Sequence, residues 1–315
     1  MSMIEVGIVG CGRIAYRHVD ALLAAGKYRI KWLYDIKPDM AAEMADYIEK
    51  RVGYKPALLT GEDRDIADVI SITTPNAFHF SSLQSFWEYG KEFVIEKPVV
   101  MNKEEFTQVE KLAKEKPIYV SHQLRYLPIY QYVRDLVGSK KVGMLSHIVV
   151  NMWWNRNRDY FMQAAWRGTW KYDGGMLFNQ GIHLLDLAIF IAAEDVADVK
   201  IKWANRTHDY IEADDVAVGY IELKSGALIA INATISSQPK NLRSEIGIFG
   251  EKGTVVINNH QFEHFYVEHT DMPHIDTVPS HYGHMKLYEN IAEGRGITIS
   301  DVKQTMNVLF EIYGR

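Results

Sequence analysis

The sequence predicts an α/β protein: a doubly wound parallel sheet at the N-terminus, then an α+β domain with a large, mostly antiparallel open sheet. Two observations support this prediction. Up to about residue 121, short apolar runs alternate with helical stretches, as crossover connections between parallel strands require. Beyond it, strand-like runs follow one another across tight turns, as in an antiparallel sheet. We therefore expect two domains, 1–121 and 122–315, in a chain of 315 residues.

Composition narrows the possible classes of function. The formal net charge of -5 argues against a nucleic-acid partner. The single cysteine, Cys11, excludes a disulfide framework within the chain and fits a reducing compartment. The longest apolar stretch, from Leu184 to Ala193, is interrupted by Asp186 and is too short to span a bilayer. We expect a soluble, cytoplasmic protein with no membrane partner and no metal site.

The first strand and helix enclose a glycine fingerprint. The apolar run from Ile4 to Val9 predicts a buried parallel strand, and the run from Ile14 to Ala25 predicts a helix. Between them the order G-x-G-x-x-A permits a tight turn, a close approach to a pyrophosphate and close packing of helix on strand. The helix N-terminus adds unsatisfied amides and a positive dipole end. This pattern predicts a dinucleotide-binding Rossmann domain, with cofactor contacts from Gly10, Gly12, Arg13 and Ile14.

The second strand, Arg29 to Tyr34, ends in Asp35. A carboxylate at this position accepts hydrogen bonds from the adenosine ribose and repels a 2′-phosphate, so it favours NAD over NADP. Lys37 is the only cation close by in the sequence that could relieve this repulsion. The same periodicity predicts a helix from Pro38 to Lys50, a strand at 69–72, a helix at 78–89 and a strand at 93–95.

Two loops at strand carboxyl ends should line the cofactor crevice, because open α/β sheets bind ligands there. One is Thr73-Thr74-Pro75-Asn76 with His79 beyond it, and the other is Glu96-Lys97-Pro98. With the glycine fingerprint, these segments resemble the Gfo/Idh/MocA family of NAD(P)-dependent sugar oxidoreductases. In that family the lysine of Glu-Lys-Pro lies in the active site, and the bond before the proline is often cis. The resemblance implies that the cofactor is also contacted by Thr74, Pro75, Asn76, His79, Glu96, Lys97 and Gln123.

The second half of the chain predicts strands and two closing helices. Strands at 145–154, 215–223, 227–236, 243–249 and 254–258 are connected in part by the tight turns Lys224-Ser225-Gly226 and Gly250-Glu251-Lys252-Gly253. The helices are expected at 284–292 and 301–313, with Ser300 as the N-cap of the second. By resemblance, the open sheet forms the subunit interface of a dimer or tetramer.

The segment from Asp173 to Asp186 is the most informative part of this domain. On a helix, Asn179, His183 and Asp186 fall on one face by i, i+4 and i+3 spacing. A lone histidine on an apolar helix is commonly structural, but this one matches the active-site helix of the family. The family pattern has an acid four residues before the histidine, and here Asn179 takes its place.

A narrower resemblance covers nearly the whole second domain. The runs Asn151 to Arg156, Trp166-Arg167-Gly168-Thr169-Trp170 and Pro239 to Leu242 look like those of bacterial UDP-N-acetylglucosaminuronate 3-dehydrogenases. Parts of the set also occur in family members that act on other sugars. Cations gather in these segments although the protein is acidic, and arginine suits diphosphate and carboxylate oxygens. We expect substrate contacts from Arg156, Arg158, Tyr160, Trp166, Arg167, Asn179, Lys240 and Arg243.

The sequence therefore predicts oxidation of a sugar secondary hydroxyl by hydride transfer to NAD, with C3 of a UDP-linked N-acetylated uronic acid as the expected position. The expected setting is synthesis of surface polysaccharide such as lipopolysaccharide O-antigen. His183 is the expected general base because histidine titrates near working pH, and Lys97 is the expected stabiliser of the developing alkoxide. Asn179 is expected to orient the sugar or the histidine. The alternatives are a dehydrogenase of free sugars or inositols, and a non-catalytic NAD-binding regulator or scaffold.

Overall fold

The computed structural model describes residues 3–60 and 65–315. The chain forms two compact units, one of Met1–Gln123 with Val278–Val302 and one of Leu124–Thr277 with Lys303–Arg315. This grouping differs from the expected division into 1–121 and 122–315 by placing 278–302 with the first unit. The strands are β1 (Ile4–Val9), β2 (Tyr28–Tyr34), β3 (Ala57–Leu58), β4 (Ala67–Ile72), β5 (Gly90–Glu96), β6 (Ile118–Ser121), β7 (Leu145–Trp153), β8 (Val196–Ala204), β9 (Val216–Leu223), β10 (Leu228–Thr234), β11 (Arg243–Gly250), β12 (Gly253–Asn258) and β13 (Gln261–Val267).

The helices follow the apolar periodicity of the sequence. The predicted helix at 78–89 is divided into a 3₁₀ turn at Asn76–Phe78, an α-helix and a second 3₁₀ turn at Trp87–Tyr89, since helix ends commonly tighten in this way. None of the helices in 3–60 and 65–315 is both long and apolar enough to cross a membrane. The α-helices are α1 (Arg13–Ala25), α2 (Pro38–Val52), α3 (His79–Phe86), α4 (Lys103–Leu112), α5 (Pro128–Gly138), α6 (Arg158–Met162), α7 (Ile182–Ala192), α8 (Tyr282–Ile291) and α9 (Ile299–Tyr313).

The first unit contains a six-stranded sheet in the order β3-β2-β1-β4-β5-β6. Every neighbouring pair is parallel. The strand order reverses between β1 and β4, and ligands of such sheets bind at this switch point, outside the carboxyl ends of the strands. The fold prediction for this part, a Rossmann sheet, is confirmed. The sheet places the turn after β1 beside the loop after β4.

The second unit contains a seven-stranded sheet in the order β13-β12-β11-β7-β10-β9-β8. Five of its neighbouring pairs are antiparallel and one, β7 with β10, is parallel. The predicted hairpins β9–β10 and β11–β12 both form, so the prediction of a mostly antiparallel sheet is confirmed. Alternate residues Ile148, Val150 and Met152 of β7 are at most 2% exposed, which identifies the core face of this strand.

The start of α9 differs from its expected position. The helix begins at Ile299, so Ser300 lies inside it and the predicted N-cap is wrong. Thr298 and Asp301 cap the helix instead. The Thr298 N–H donates to Asp301 Oδ2 at 2.8 Å, and the Asp301 N–H donates to Thr298 Oγ1 at 3.4 Å. This reciprocal pair is a capping box, here with aspartate as the acid, and it fixes the helix start two residues earlier than a lone serine signal predicts.

Candidate active site

The glycine turn after β1 has the shape that a pyrophosphate site needs. Gly10 has φ +91°, and a Cβ there would lie 2.8 Å from the backbone N of Thr74, so the turn and the loop after β4 approach closely. A Cβ on Gly12 would meet nothing within 4 Å. Helix α1 has no side-chain cap and no acid in its first turn. An open approach to an uncapped helix N-terminus fits a diphosphate.

Asp35 lies at the end of β2 and contacts the glycine turn. Its Oδ2 accepts a hydrogen bond from the Cys11 N–H at 2.7 Å, and its Oδ1 accepts one from the Lys37 N–H at 2.8 Å. Cys11 is fully buried, and burial raises the pKa of its thiol to about 12, with the charge of Asp35 adding to this effect. Cys11 is therefore a small apolar side chain within the turn and not a nucleophile.

His79 links the two predicted cofactor loops. Its Nδ1 lies 2.6 Å from the carbonyl oxygen of Pro98, and its Nε2 lies 2.9 Å from that of Thr74. Carbonyl oxygens only accept, so both hydrogen bonds form together only on the protonated ring. Burial lowers the pKa of His79 below its ordinary value, against the effect of these two hydrogen bonds. The geometry shows His79 as a connection between loops, while its contact with the cofactor stays a prediction.

Lys97 follows β5 in the second of these loops. The Lys97–Pro98 bond is cis, as the family resemblance led us to expect, and Gln238–Pro239 is cis as well. Lys97 is partly exposed, whereas the four residues before it, including Glu96, are all buried. The Lys97 side chain thus reaches the surface of the first unit at the carboxyl edge of its sheet.

Glu96 is buried between two histidines. His18 Nε2 lies 2.8 Å from Glu96 Oε1, and His284 Nε2 lies 3.7 Å from the same oxygen. Burial alone would raise the pKa of Glu96, but the two histidines outweigh it and hold this pKa well below its ordinary value. Tyr288 OH, 2.7 Å from His18 Nδ1, extends the network.

The side chains of His18, Glu96 and His284 could also hold a metal ion, because their ligand atoms lie within 4.8 Å of one another. No metal ligand was predicted from the sequence. Two ligands on one tetrahedral zinc ion are roughly 3.3 Å apart, since each lies about 2 Å from the metal. The 2.8 Å between His18 and Glu96 is instead the length of a hydrogen bond. Hydrogen bonding thus accounts for the arrangement of His18 and Glu96.

Gln123 has a buried side-chain oxygen available to a ligand. Its Oε1 has no hydrogen-bond partner among the residues that the structure describes. Such an atom is costly to bury unless something binds it. Gln123, Gly12 and the uncapped helix α1 are therefore features of the first unit that fit a bound dinucleotide, with Asp35 at the end of β2.

In the second unit, Asn179 and His183 are partly exposed polar residues of a mostly buried helical stretch. A π-helical turn, Leu177–Gly181, leads directly into α7. Asn179 is the only residue of this turn that is not buried. In α7 nine residues are buried, and His183 is one of the two that are not. Wide turns of this kind are frequent at functional sites.

Asp186 does not share the exposure of His183. It is 1% exposed and receives two hydrogen bonds from Arg125, at 2.8 Å from Nε and 2.6 Å from Nη2, and one from Thr305 at 2.8 Å. Asn179, His183 and Asp186 were expected on one helix face, but only the first two are partly exposed. Asp186 can be buried because its charge is paired with that of Arg125. The fork of Arg125 anchors α7 from the segment before α5.

Two of the predicted substrate arginines lie around one tyrosine ring. The Cζ of Arg156 is 5.1 Å from the ring centroid of Tyr160, and the Cζ of Arg167 is 4.4 Å from it. Arg156 also lies 4.8 Å from the Trp154 ring, and Arg167 lies 5.7 Å from the Trp166 ring. Within 3–60 and 65–315, Arg167 has no carboxylate partner. The structure therefore gathers these two positive charges on an aromatic surface.

The remaining predicted substrate residues are more dispersed. Arg243 forms ion pairs with Glu245, at 2.9 Å, and with Glu263, so its charge is already compensated. Arg158 lies over the ring of Tyr210 at 5.5 Å, and Lys240 is exposed. Their contact with a substrate stays a prediction.

Sequence reasoning missed four buried polar residues of the second unit, Arg125, His208, Asp214 and Asp215, and also the partly exposed Tyr313. The first four are at most 6% exposed, and Tyr313 donates a hydrogen bond to Asp214. The adjacent acids Asp214 and Asp215 at the start of a predicted strand were a usable signal, because acids rarely enter a strand unless they are paired.

Comparison with known families agrees with this geometry. Residues 4–123 match a family described as "Oxidoreductase family, NAD-binding Rossmann fold". Residues 130–256 match one described as "GFO/IDH/MocA C-terminal domain". Together the two matches cover most of the chain, and both belong to the same family.

Solved structures and a characterised relative show where the similarity lies. The WlbA dehydrogenase from Bordetella pertussis, solved in complex with NADH and UDP-GlcNAcA, is 27% identical, with a TM-score of 0.86 over 99% of this chain and 96% of that one. The WlbA dehydrogenase from Chromobacterium violaceum, in complex with the same ligands, is 28% identical, with a TM-score of 0.85 over 99% and 93%. The glucose-6-phosphate 3-dehydrogenase of Bacillus subtilis is 25% identical over 87% of this chain and 76% of its own length.

Proposed function

This chain belongs to the Gfo/Idh/MocA family of oxidoreductases, and we propose that it oxidises the C3 hydroxyl of a UDP-linked N-acetylated uronic acid by hydride transfer to NAD. The coarser activity, NAD-dependent sugar oxidation, follows from the family and its neighbours. The finer assignment is supported by 27% and 28% identity to two WlbA dehydrogenases that were solved with UDP-GlcNAcA.

The observation that carries the substrate proposal is the pair of guanidinium groups around Tyr160. A sugar nucleotide with a uronic acid carries two phosphates and a carboxylate, and a guanidinium binds such oxygens in a fork. The Cζ atoms of Arg156 and Arg167 lie 5.1 Å and 4.4 Å from the Tyr160 ring centroid, so the two positive charges are close together. The rings of Trp154 and Trp166 beside them offer faces for a sugar or base.

Cofactor binding falls to the first unit. The residues that would hold NAD are those of the glycine turn, the end of β2 and the loops after β4 and β5. NAD supplies a hydride acceptor when bound. The chain's own residues bind and orient it: the uncapped N-terminus of α1 receives the diphosphate, and Asp35 receives the ribose hydroxyls.

We assign the proton transfer to His183. Oxidation of an alcohol releases a hydroxyl proton, and a ring nitrogen of His183 is the proposed acceptor because imidazole titrates near neutral pH. Its partial exposure in a buried helix leaves it accessible to a substrate. Asn179, on the π-helical turn before it, cannot take a proton, but its amide can orient the sugar or the imidazole.

Lys97 takes the electrostatic part in the same reaction. Its ammonium group stabilises the negative charge that develops on the oxygen as the proton leaves. The adjoining Glu96 accepts a hydrogen bond from the Lys97 backbone N–H at 3.2 Å and lies 2.8 Å from His18 Nε2, which ties this loop to the first unit.

The proposal extends to the setting of the enzyme. Products of this kind of oxidation are ketosugars on the way to diamino-uronic acids, so we propose a place in the synthesis of surface polysaccharide such as O-antigen, in the cytoplasm.

We further propose a homo-oligomer, a dimer or tetramer, that assembles through the open sheet of the second unit. Val218, Tyr220 and Leu228 on that sheet are 52%, 40% and 39% exposed, which supports such an interface. The division into a dinucleotide-binding domain, 1–121, and a substrate-binding and oligomerisation domain, 122–315, remains part of the proposal.

A panel of substrates followed by NADH absorbance tests the function. UDP-GlcNAcA, UDP-GlcNAc, glucose 6-phosphate, free glucose and inositol are compared by kcat/KM with NAD. The proposal expects UDP-GlcNAcA to exceed the others by at least tenfold. A preference for glucose 6-phosphate would instead place the chain with its Bacillus subtilis relative, and a preference for a free sugar would refute an anionic substrate.

A further inference from the structure

Two adjacent buried carboxylates in the second unit bind different parts of the candidate site. Asp214 and Asp215 immediately precede β9, and they are 1% and 0% exposed. Buried carboxylates are rare unless hydrogen bonds or charges compensate them. Each of the two has such partners, and the two sets of partners do not overlap in their side-chain hydrogen bonds.

Asp214 holds the beginning of the helical stretch that carries Asn179 and His183. Its Oδ1 accepts a hydrogen bond from the Met176 N–H at 2.9 Å. Tyr313 OH donates to its Oδ2 at 2.9 Å and accepts from the Leu177 N–H at 3.0 Å. The first N–H groups of a helix have no acceptor within the helix, so Asp214 and Tyr313 together cap this one from outside.

The neighbouring glycine shows how closely this cap fits. Gly175 has φ +111°, and a Cβ at that position would lie 2.7 Å from Asp214 Oδ1 and 2.9 Å from Tyr313 Cζ. Only glycine allows both the backbone conformation and this approach. The entry to the π-helical turn is therefore shaped around the two capping side chains.

Asp215 holds a different segment. It accepts hydrogen bonds from the backbone N–H groups of Arg206, Thr207 and His208 at 2.9, 2.7 and 3.1 Å. His208 Nδ1 lies 3.0 Å from Asp215 Oδ2, and His208 Nε2 lies 2.8 Å from the backbone oxygen of Arg156. Both partners of the ring only accept, so the two hydrogen bonds form together on the protonated ring. The Asp215 carboxylate thus orients an imidazolium, which donates to the main chain of Arg156, one of the two arginines around Tyr160.

The pKa values of the two acids are shifted in opposite directions. Burial raises the pKa of Asp214 to about 6, against the hydrogen bonds from Met176 and Tyr313. Burial would also raise the pKa of Asp215, but hydrogen bonds from His208, Thr207 and Arg206 keep it below the ordinary value. Asp215 is thus the acid of the pair that ionises at lower pH.

We propose that Asp214 and Asp215 are positioning residues with separate roles, Asp214 placing the helix of Asn179 and His183 and Asp215 placing Arg156 through His208. Neither acid touches the reacting atoms. The roles given to His183 and Arg156 rest on the function proposed above. Two consecutive residues thus divide between them the support of the reacting groups and the support of substrate binding.

Separate roles predict a kinetic division between two matched variants. Asp214→Ala loses the cap and should lower kcat about tenfold with KM changed less than threefold. Asp215→Ala releases His208 and should raise the KM for the nucleotide sugar about tenfold with kcat changed less than threefold. Both remove a buried carboxylate of the same size, so a purely structural effect would act on the two alike. Asp214→Asn keeps an oxygen for the Met176 N–H and should restore most of kcat.

Hydrogen exchange gives a readout that does not depend on turnover. Asp214→Ala should speed amide exchange at 176–183 by at least tenfold and leave 155–156 unchanged, and Asp215→Ala should do the reverse. Tyr130→Phe, which removes the buried hydroxyl that lies 2.8 Å from His260 Nδ1, serves as a control and should change neither segment. If the two variants affect exchange in different segments in this way but the protein oxidises no sugar, the positioning roles are supported and the proposed function is refuted. Equal effects of both variants on exchange, or on kcat and KM, would overturn the positioning roles.

Discussion

The carboxylate of Asp35 accepts a hydrogen bond from the backbone N–H of Cys11 at 2.7 Å, which ties the end of β2 to the glycine turn after β1. This hydrogen bond holds together the acid that we propose to select the ribose and the turn that we propose to receive the diphosphate. Because Asp35 also accepts from the Lys37 N–H, its charge is fixed at this end of the strand. A 2′-phosphate would meet that fixed charge directly.

The first prediction concerns the choice of cofactor. Wild-type protein should use NAD at least tenfold more efficiently than NADP, because Asp35 repels a 2′-phosphate. Asp35→Asn retains an acceptor oxygen for the Cys11 N–H and removes the charge, so kcat/KM with NADP should rise on the order of tenfold. Steady-state kinetics with both cofactors measures this ratio. An unchanged NADP efficiency in Asp35→Asn would show that Asp35 does not select the cofactor.

The second prediction separates cofactor binding from folding at the glycine turn. A methyl group on Gly12 meets open space in the protein, so Gly12→Ala should fold normally. The same methyl group would occupy the approach of the diphosphate, and the Kd for NAD should rise about tenfold or more, a loss of about 1.4 kcal/mol. Calorimetric titration with NAD and thermal unfolding measure the two effects.

Two glycine controls make this test specific. Gly10→Ala should destabilise the fold by more than about 1 kcal/mol, because φ is +91° and Thr74 lies 2.8 Å from the added Cβ. Gly138→Ala also adds a methyl group in open space and should change neither property. Normal NAD affinity in Gly12→Ala would contradict the assignment of the turn to the diphosphate.

Local signals in the sequence were sufficient for much of the fold. The run from Ile4 to Val9, the fingerprint and the later hairpin turns each depend on neighbours in the chain, and all were predicted close to their observed bounds. The parallel pairing of β7 with β10 was not predicted, because it joins residues about 80 positions apart with no local signature. The N-cap of α9 was misplaced because a capping box at Thr298 outweighed the serine signal.

Only the residues of the candidate site that stand in recognisable motifs were predicted from the sequence. Lys97, Asn179 and His183 stand in segments that resemble a family pattern. Their supports could not be predicted: Glu96 depends on His18 and His284, and the helix of His183 depends on Asp214, which is 38 residues from Met176 in the chain. Such contacts arise from tertiary packing, which produces no regular spacing of residues in the sequence.

The third prediction tests the two arginines around Tyr160. Arg156→Ala and Arg167→Ala should each raise the KM for a UDP-sugar by about tenfold to a hundredfold, since hydrogen bonds to charged groups are worth about 1.5–3 kcal/mol. The Kd for NAD should not change. Arg29→Ala is the matched control, because Arg29 also lies over a tyrosine ring, 5.2 Å from that of Tyr54, and belongs to the first unit. Unchanged KM in both variants would remove the arginines from substrate binding.

The fourth prediction concerns the pH dependence of stability. Burial raises the pKa of Asp214 from its ordinary 3.8 to about 6. The protonated carboxyl is therefore favoured by folding, and its contribution is complete below pH 3.8 and lost as the pH rises through about 6. The size of the effect is about 3 kcal/mol at most, from a shift of roughly two pKa units. The stability of wild type relative to Asp214→Asn should therefore fall between pH 4 and pH 7.

Asp215 should show the opposite sign. Its pKa lies below the ordinary value, so its contribution is present above pH 3.8 and is lost as the pH falls through the lowered pKa. Urea unfolding of wild type, Asp214→Asn and Asp215→Asn at a series of pH values measures both effects. Parallel stability curves for wild type and Asp214→Asn would show that Asp214 titrates normally.

The fifth prediction concerns the residue at which an acid is common in the family. Asn179→Asp should retain turnover within about threefold, because it restores that acid on the partly exposed position of the π-helical turn. The added carboxylate should also extend activity to lower pH if it shares the proton with His183. A pH profile of kcat for both proteins measures this. Loss of more than a hundredfold in turnover would mean that the amide of Asn179 is required as such.

The most direct test of the account is the rate of hydride transfer in His183→Asn, measured by single-turnover formation of NADH on the preferred nucleotide sugar. With His183 as the base, the rate should fall on the order of a hundredfold or more, while the Kd for NAD and the melting temperature stay near wild type. Lys97→Met should lower the same rate by weakening alkoxide stabilisation, without shifting its pH dependence. If His183→Asn kept nearly normal hydride transfer while Lys97→Met abolished it, the lysine would be the base and the proposed roles would be reversed.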